Sequence, residues 1–151
     1  MQPWCSKWDG KVYGLPTEEE WEYAARGGDE DNFYPWGSIW RKGFANVQGE
    51  SGSRKPVGSY PQGKSRWGNL DMIGNVWEWT SSKASLYPGN MAELPEQHRD
   101  WLIIRGGCYA TPVHGNLPLT ATIRNWVAPT YKNPVLGFRL VRTAESVTTE
   151  K

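Results

Sequence analysis

Polar and apolar positions along the chain spell out one helix before anything else. In "GLPTEEEWEYAARGG" the residues Trp21, Ala24 and Ala25 fall at the i, i+3, i+4 spacing of a single helical face. Thr17 stands where an N-cap is needed, and Glu20, three residues on, completes a capping box. Glu18, Glu19 and Glu20 put negative charge in the first turn, where the helix dipole favours it. Arg26 in the last turn and Gly27-Gly28 beyond it supply the stop. The pattern predicts a helix over Glu18 to Arg26, with Trp21 turned inward.

Strand-like patterns come late. "DWLIIRGG" is a short apolar run closed by two glycines, and "TATIRNWV" alternates moderately. "LGFRLVR" puts Phe138 and Leu140 on one face and Arg139 and Val141 on the other. The stretches between read as loop. "GGDEDNFYPWGSIW" is a polar turn running into Tyr34-Pro35-Trp36-Gly37. "QGESGSRKPVGSYPQGKSRWGN" is rich in Gly, Ser and Pro, and "SSKASLYPGNMAELPEQHRD" is a polar surface excursion. The final "TAESVTTEK", 143–151, is a polar tail expected to fray. There is no internal repeat and no low-complexity tract.

Composition changes this picture in one respect. The 151 residues suit one domain with one core. Ten of them are Trp, with seven Tyr and three Phe, yet the mean hydropathy is −0.68. Such a chain is expected to build its core from a few large rings with polar loops draped over them. Seventeen Gly and eleven Pro, spread between the aromatic clusters, act as turn punctuation. The expectation is little regular secondary structure and long, well-packed loops.

Charge removes some functions from consideration. Seventeen basic and sixteen acidic residues leave a formal net charge of +1, with Arg and Lys scattered. That makes no electrostatic case for nucleic acid or an anionic membrane surface. No apolar run is long enough to span a bilayer, and "MQPWCSKWDG" lacks the layout of a secretion signal. The compartment stays open. Two cysteines, Cys5 and Cys108, make neither a disulfide framework nor a zinc constellation. Two free thiols are the plainer reading; a Cys5–Cys108 bridge requires an oxidising compartment and proximity in the fold.

Five landmarks taken together carry a resemblance: "LPTEEEWEYAARGG" (15–28), "YPWG" (34–37), "GNLDMIGNVWEWTSS" (68–82), "IRGGCY" (104–109) and "LGFRLVR" (136–142). In order and approximate spacing they resemble the formylglycine-generating enzyme family, also called the sulfatase-modifying factor domain, from about Trp4 to Arg142. The resemblance implies an α+β fold of low regular structure, a variant of the C-type-lectin-like fold, over 1–142. Domains of that family usually carry a further N-terminal portion with the first strand and helix, whereas fourteen residues precede Leu15 here. The chain is then a fragment, or starts late, or has a reduced fold completed by an upstream or partner domain. An absent strand would leave an unpaired sheet edge, and an absent helix would expose aromatic surface.

The family's best-known activity oxidises a sulfatase cysteine to formylglycine with a pair of cysteines that bind copper(I) shortly after a Gly-Gly-Ser-Tyr motif. Soft thiolates suit that ion. Counted from Gly106-Gly107, the two positions fall on Thr111 and Asn116, neither a soft ligand, so copper is not expected. Cys108 occupies the motif's serine position. It is the one weak candidate for a reactive thiol, near His114 and Arg124; the plainer reading is a small buried residue beside a Gly-Gly turn. His98 and His114 are the only histidines and form no iron site by spacing, so iron is not expected within this chain. "TIRNWVAP" also resembles the lectin-like domain of ergothioneine-type sulfoxide synthases, in which the iron histidines belong to a separate helical domain. The same fold serves as a ligand-binding platform in variable proteins of phage and bacteria and accompanies bacterial kinases. On that reading Tyr109, Arg124, Asn125, Trp126 and Tyr131 form a binding face, rigid aromatics with polar handles and a forked guanidinium. The bland alternative makes Trp126 and Arg124 core and core-bracing groups.

"DMIGNVWEW" raises metal chemistry of another kind. Calcium takes several oxygen ligands, mixing carboxylates with backbone carbonyls. The resemblance implies a structural calcium held by Asp71, the Gly74 and Val76 carbonyls and Glu78, with Trp77 and Trp79 fastening the loop to the core. The plainer reading is that Glu78 caps local amides and Asp71 starts a turn. A second family site beginning at Asn46 and Val47 runs into Arg54 and Lys55 and is not counted. The expected function is a ligand- or protein-binding or accessory module of unknown partner. The alternative is an oxidoreductase module, formylglycine-generating or sulfoxide-synthase-like, that needs further N-terminal sequence or a partner domain.

Overall fold

A computed structural model describes residues 11–142. Cys5, and with it the Cys5–Cys108 question, lies outside the described residues, as does the tail 143–151. The helix α1 spans Glu18–Arg26, as its sequence dictates. The Thr17 hydroxyl accepts from the Glu20 amide (3.2 Å), and the Glu20 carboxylate accepts from the Thr17 amide (2.8 Å), which closes the capping box. Gly27 ends the helix in the left-handed conformation, φ 66°. Trp21 and Ala25 are fully buried, and Ala24 packs at the edge of their cluster.

Six short strands accompany the helix: β1 (Tyr13–Gly14), β2 (Trp77–Lys83), β3 (Leu102–Arg105), β4 (Arg124–Val127), β5 (Leu136–Phe138) and β6 (Val141–Arg142). β3, β4 and β5 arise within the three segments with strand patterning. The order β4-β3-β2-β5 makes a four-stranded sheet, antiparallel except that β2 and β5 run parallel. β1 and β6 pair separately, Tyr13 opposite Arg142. Two residues carry no readable alternation, so nothing local announces that ribbon. Single-turn 3₁₀ helices at Pro61–Gly63 and Glu96–His98 interrupt the loops.

The core departs from the expectation drawn from composition. Among the described tryptophans only Trp21 is fully buried. The centre is made of Trp21, Ala25, Met72 and Ala121 on one side and Ala45, Val47, Ile73 and Leu119 on the other. The large rings form a half-buried shell around it. Tyr34 and Trp36 stack at 5.5 Å, and Trp40 and Phe44 meet them edge-on or tilted. An indole placed at the shell keeps its N–H in reach of a partner, as Trp36 does with the Ile39 carbonyl (3.0 Å).

Two strand faces are inverted relative to simple hydrophobicity. In β2 the inward residues are Glu78 and Thr80, whereas Trp77 and Trp79, expected to fasten the loop to the core, are half-buried. After β5 the chain turns Arg139 inward while Phe138 is 53% and Leu140 36% exposed. Thr80 can be buried because its hydroxyl donates to the Ile103 carbonyl (2.8 Å).

The long loops are held by backbone bonds across the fold. The Asn75 amide donates to the Asn46 carbonyl (2.7 Å), Gly74 to Gly106 (2.8 Å) and Gln48 to Thr111 (3.1 Å). Gly74 is required twice over: its φ is +76°, and a Cβ there would lie 2.2 Å from the Asn46 carbonyl oxygen. Gly74→Ala is therefore expected to destabilise the fold by more than about 2 kcal/mol, and Thr17→Ala by about 1 kcal/mol through the lost cap. Urea unfolding of the two variants checks both values, and equal midpoints would contradict the ranking.

Candidate functional site

Two charged clusters and one largely neutral group lie around α1 and the sheet, beginning with Glu78. Its carboxylate is 6% exposed at the residue level. Trp21 Nε1 donates to its Oε2 (2.6 Å), Arg139 Nε to the same oxygen (2.6 Å) and Arg139 Nη2 to Oε1 (2.7 Å). Arg139 Nη2 also reaches the Leu70 carbonyl (3.0 Å). Burial works to lower the Arg139 pKa, but the hydrogen bond and charge of Glu78, with the charge of Asp71, outweigh it and raise it. One buried carboxylate thus ties helix, β2, the 70–71 turn and the segment after β5 into a single joint.

Under the exposed face of α1 lies a second cluster. The Arg105 side chain is fully buried, donates to Glu22 and to the Thr122 carbonyl (3.1 Å), and lies over the Trp21 ring at 5.4 Å. Arg124 Nη2 donates to Glu18 (2.8 Å) and Nη1 to the Ser85 carbonyl (2.9 Å), with its guanidinium 4.4 Å from the Tyr87 ring centre. Burial pushes the Glu18 carboxyl up, against the lowering pull of Arg124 and Arg105. Glu18 and Glu22 sit one helical turn apart, so both point at these arginines. Capping and the helix dipole account for the "EEE" run in the sequence without this pairing; the i, i+4 spacing of Glu18 and Glu22 is the signal that points to it.

The third group follows the Gly106–Gly107 turn. Cys108 is buried; its amide donates to the Thr111 hydroxyl (2.9 Å), and that hydroxyl faces the Cys108 sulfur at 3.6 Å. Asn116 is exposed. The Tyr109 amide donates to the Asn75 carbonyl (3.0 Å). Arg124 and Trp126 lie on one side of β4, with the guanidinium 5.9 Å from the indole centre. Trp126 Nε1 donates to His98 Nδ1 (3.3 Å). Asn125 is exposed, and its side-chain oxygen accepts from the Trp126 amide (2.8 Å). The Tyr131 hydroxyl accepts from Asn133 (2.9 Å) in the turn beyond. Of the five candidate face residues, the structure brings Arg124 and Trp126 together. Tyr109 is tied through its backbone to Asn75, Asn125 pairs with Ile104 in the sheet, and Tyr131 bonds within its own turn.

Two clefts open nearby. One of about 580 Å³ runs between α1 and the segment 85–88, with Tyr23 and Tyr87 in its walls and Glu19 and Glu22 in its lining. The other, about 390 Å³, lies beside the Thr111 turn between Trp40, Lys42, Val113 and His114. Among the described residues no group of three or more His, Cys, Asp or Glu is placed to share an ion. His98 lies against Trp101 and Trp126, whereas His114 lines the second cleft.

The calcium expectation meets a mixed donor set. Asp71 accepts from the Gly58 amide through Oδ2 (2.7 Å) and stands at φ +55°. Asn75 at φ +61° and Gly74 curl the loop between the two acids. The carboxylates of Asp71 and Glu78 and the carbonyls of Gly74 and Val76 are oxygens of the kind a hard cation takes, while in this structure both Glu78 oxygens accept from Trp21 and Arg139. At the second family position Asn46 is engaged by Ser51 (2.6 Å), the Ser53 carbonyl (2.8 Å) and Asn75 (2.9 Å).

A family profile described as the sulfatase-modifying factor enzyme 1-like domain matches residues 3–144. Hercynine oxygenase of Mycolicibacterium smegmatis is 36% identical over 83% of this chain and 32% of its own length. The inactive Cα-formylglycine-generating enzyme 2 of Bos taurus is 33% identical over 87% of this chain and 44% of its own. Among solved structures, PvdO from Pseudomonas aeruginosa superposes with a TM-score of 0.68 at 31% identity, covering 93% of this chain and 56% of that one. The chain spans less than half the length of these two curated relatives.

The clusters predict unequal consequences. Arg105→Met removes the fully buried guanidinium from Glu22 and Glu18, which keep Arg26 and Arg124, and is expected to cost about 2 kcal/mol. Lys83→Met removes an ion pair whose side chains are 67% and 85% exposed and should leave the midpoint unchanged. Paired denaturation curves measure the contrast; equal losses would refute it.

Proposed function

The chain belongs to the sulfatase-modifying factor enzyme 1-like family, and from that premise we propose that it is a ligand- or protein-binding or accessory module of the family rather than a self-contained generator of formylglycine. One observation carries the reading. The positions that the family resemblance gives to the copper cysteines hold Thr111 and Asn116, and the Thr111 hydroxyl is engaged with Cys108. A lone buried thiol beside a hydroxyl gives copper(I) no thiolate pair. The similarity to the inactive Cα-formylglycine-generating enzyme 2 supports the same direction.

The binding face in this proposal is the β4 edge with Asn125 and Trp126, extended by Tyr109 and Tyr131. Arg124 belongs to it as a brace, since both terminal nitrogens of its guanidinium already hold Glu18 and Ser85. Rigid indole and phenol rings with amide handles suit a polar ligand or peptide. A second reading, a portion of a larger oxidoreductase, is favoured by the similarity to hercynine oxygenase, with the iron chemistry residing outside these residues.

Calcium is the ion proposed for the Asp71–Glu78 loop. Its support is the all-oxygen donor set, and its effect is to stabilise the curled loop by binding the folded state alone.

Two measurements test these readings. Incubated with copper and a cysteine-bearing sulfatase peptide, the protein is expected to leave the cysteine unoxidised; robust aldehyde formation would overturn the module reading. In scanning calorimetry, calcium at a hundredfold excess over its Kd should add about 2.7 kcal/mol relative to chelator; a Tm unmoved by calcium would remove the ion from the account.

A further inference from the structure

We infer that His98 is a pH-operated latch on Trp126. The indole N–H of Trp126 donates to His98 Nδ1 at 3.3 Å. An imidazole can accept there only if Nδ1 carries no proton, so the latch is closed when His98 is neutral. The His98 ring also lies 4.0 Å from the Trp101 ring, centroid to centroid, and 6.5 Å from that of Trp126. His98 therefore sits between two indoles and joins the single-turn helix Glu96–His98 to the edge strand β4.

The two protonation states favour different contacts. Neutral His98 accepts the Trp126 N–H. Charged His98 has a donor on both ring nitrogens, so the indole N–H meets another N–H and the bond is lost. The same charge strengthens the contact with the face of Trp101, because a cation over an indole is attracted by the ring's quadrupole. Protonation thus keeps His98 on Trp101 and releases Trp126. The charged groups around the latch are Glu96 and Arg99, paired at 2.8 Å, and Asp100 with Lys83 of β2, paired at 2.7 Å. From β4 comes Arg124, paired with Glu18. Each is matched by an opposite charge, which leaves the two indoles as the contacts that change with protonation. The latch is therefore closed while His98 is neutral and open once it is protonated.

The latch stands on this geometry alone. Its consequence, acid-dependent freedom of Trp126 in the binding face, rests on the function proposed above. The test therefore contains no ligand, and its failure is distinct from failure of the binding face. In ¹⁵N-labelled protein taken from pH 8 to pH 5, the Trp126 indole resonance, identified by its loss in Trp126→Phe, should shift with the midpoint of the His98 ring. Its exchange protection should fall about fivefold, the change that one ordinary hydrogen bond supports. In His98→Gln, whose amide oxygen can accept at every pH, the response should vanish, and His114→Gln should leave it intact. A Trp126 indole that stays still while His98 titrates, or a response that survives His98→Gln, would overturn the latch. If His98→Gln does not fold, Trp126→Phe serves: its His98 midpoint should differ from the parent's, and an identical midpoint would overturn the proposal.

Discussion

Everything in this fold converges on one buried carboxylate. Glu78 lies in the middle of the sheet, where an ionised group is costly unless fully paired. Three N–H donors meet it, one from the helix through Trp21 and two from the segment after β5 through Arg139. Charge-assisted, forked hydrogen bonds of this kind are short and directional. They specify how the helix, the sheet and the loop before β2 sit together, which a small core of alanines, valine, methionine and leucine does not do by itself. The inverted faces follow from the same joint. With Glu78 and Arg139 turned inward, strand alternation sends Trp77, Trp79 and Phe138 toward the surface.

Legibility in the sequence follows the range of the forces. α1 was readable to its end residues because caps, dipole charges and the Trp21 stripe act within one turn. The late strands were readable as segments for the same reason. The ribbon of Tyr13–Gly14 with Val141–Arg142 was not, since two residues hold no period and the pairing joins opposite ends of the described chain. The composition suggested a core of large rings, yet the indoles form its shell, because an indole needs both apolar contact and a partner for its N–H. Of the site, the Asp71–Glu78 loop stood out as a motif, whereas Trp21 and Arg139, which hold Glu78, and Arg105 and Arg124, which hold Glu22 and Glu18, lie more than fifty residues from the acids they bind.

The turn at Gly106–Gly107 is tied by backbone bonds to Asn75 and Gly74, and beyond it the Thr111 hydroxyl meets both the amide and the sulfur of Cys108. The side of β4 that carries Arg124 and Trp126 is instead rich in groups that respond to charge: a guanidinium between Glu18 and Tyr87, and an imidazole between two indoles. A scaffold fixed by buried ion pairs leaves such edge groups free to differ without loss of the fold.

The central claim is that Glu78 and Arg139 act as one unit. A double-mutant cycle with Glu78→Gln and Arg139→Gln, read by urea unfolding, measures it directly. The account predicts a coupling of about 2 kcal/mol, with either single change costing nearly as much as both. Single costs that add to within about 0.5 kcal/mol would contradict it.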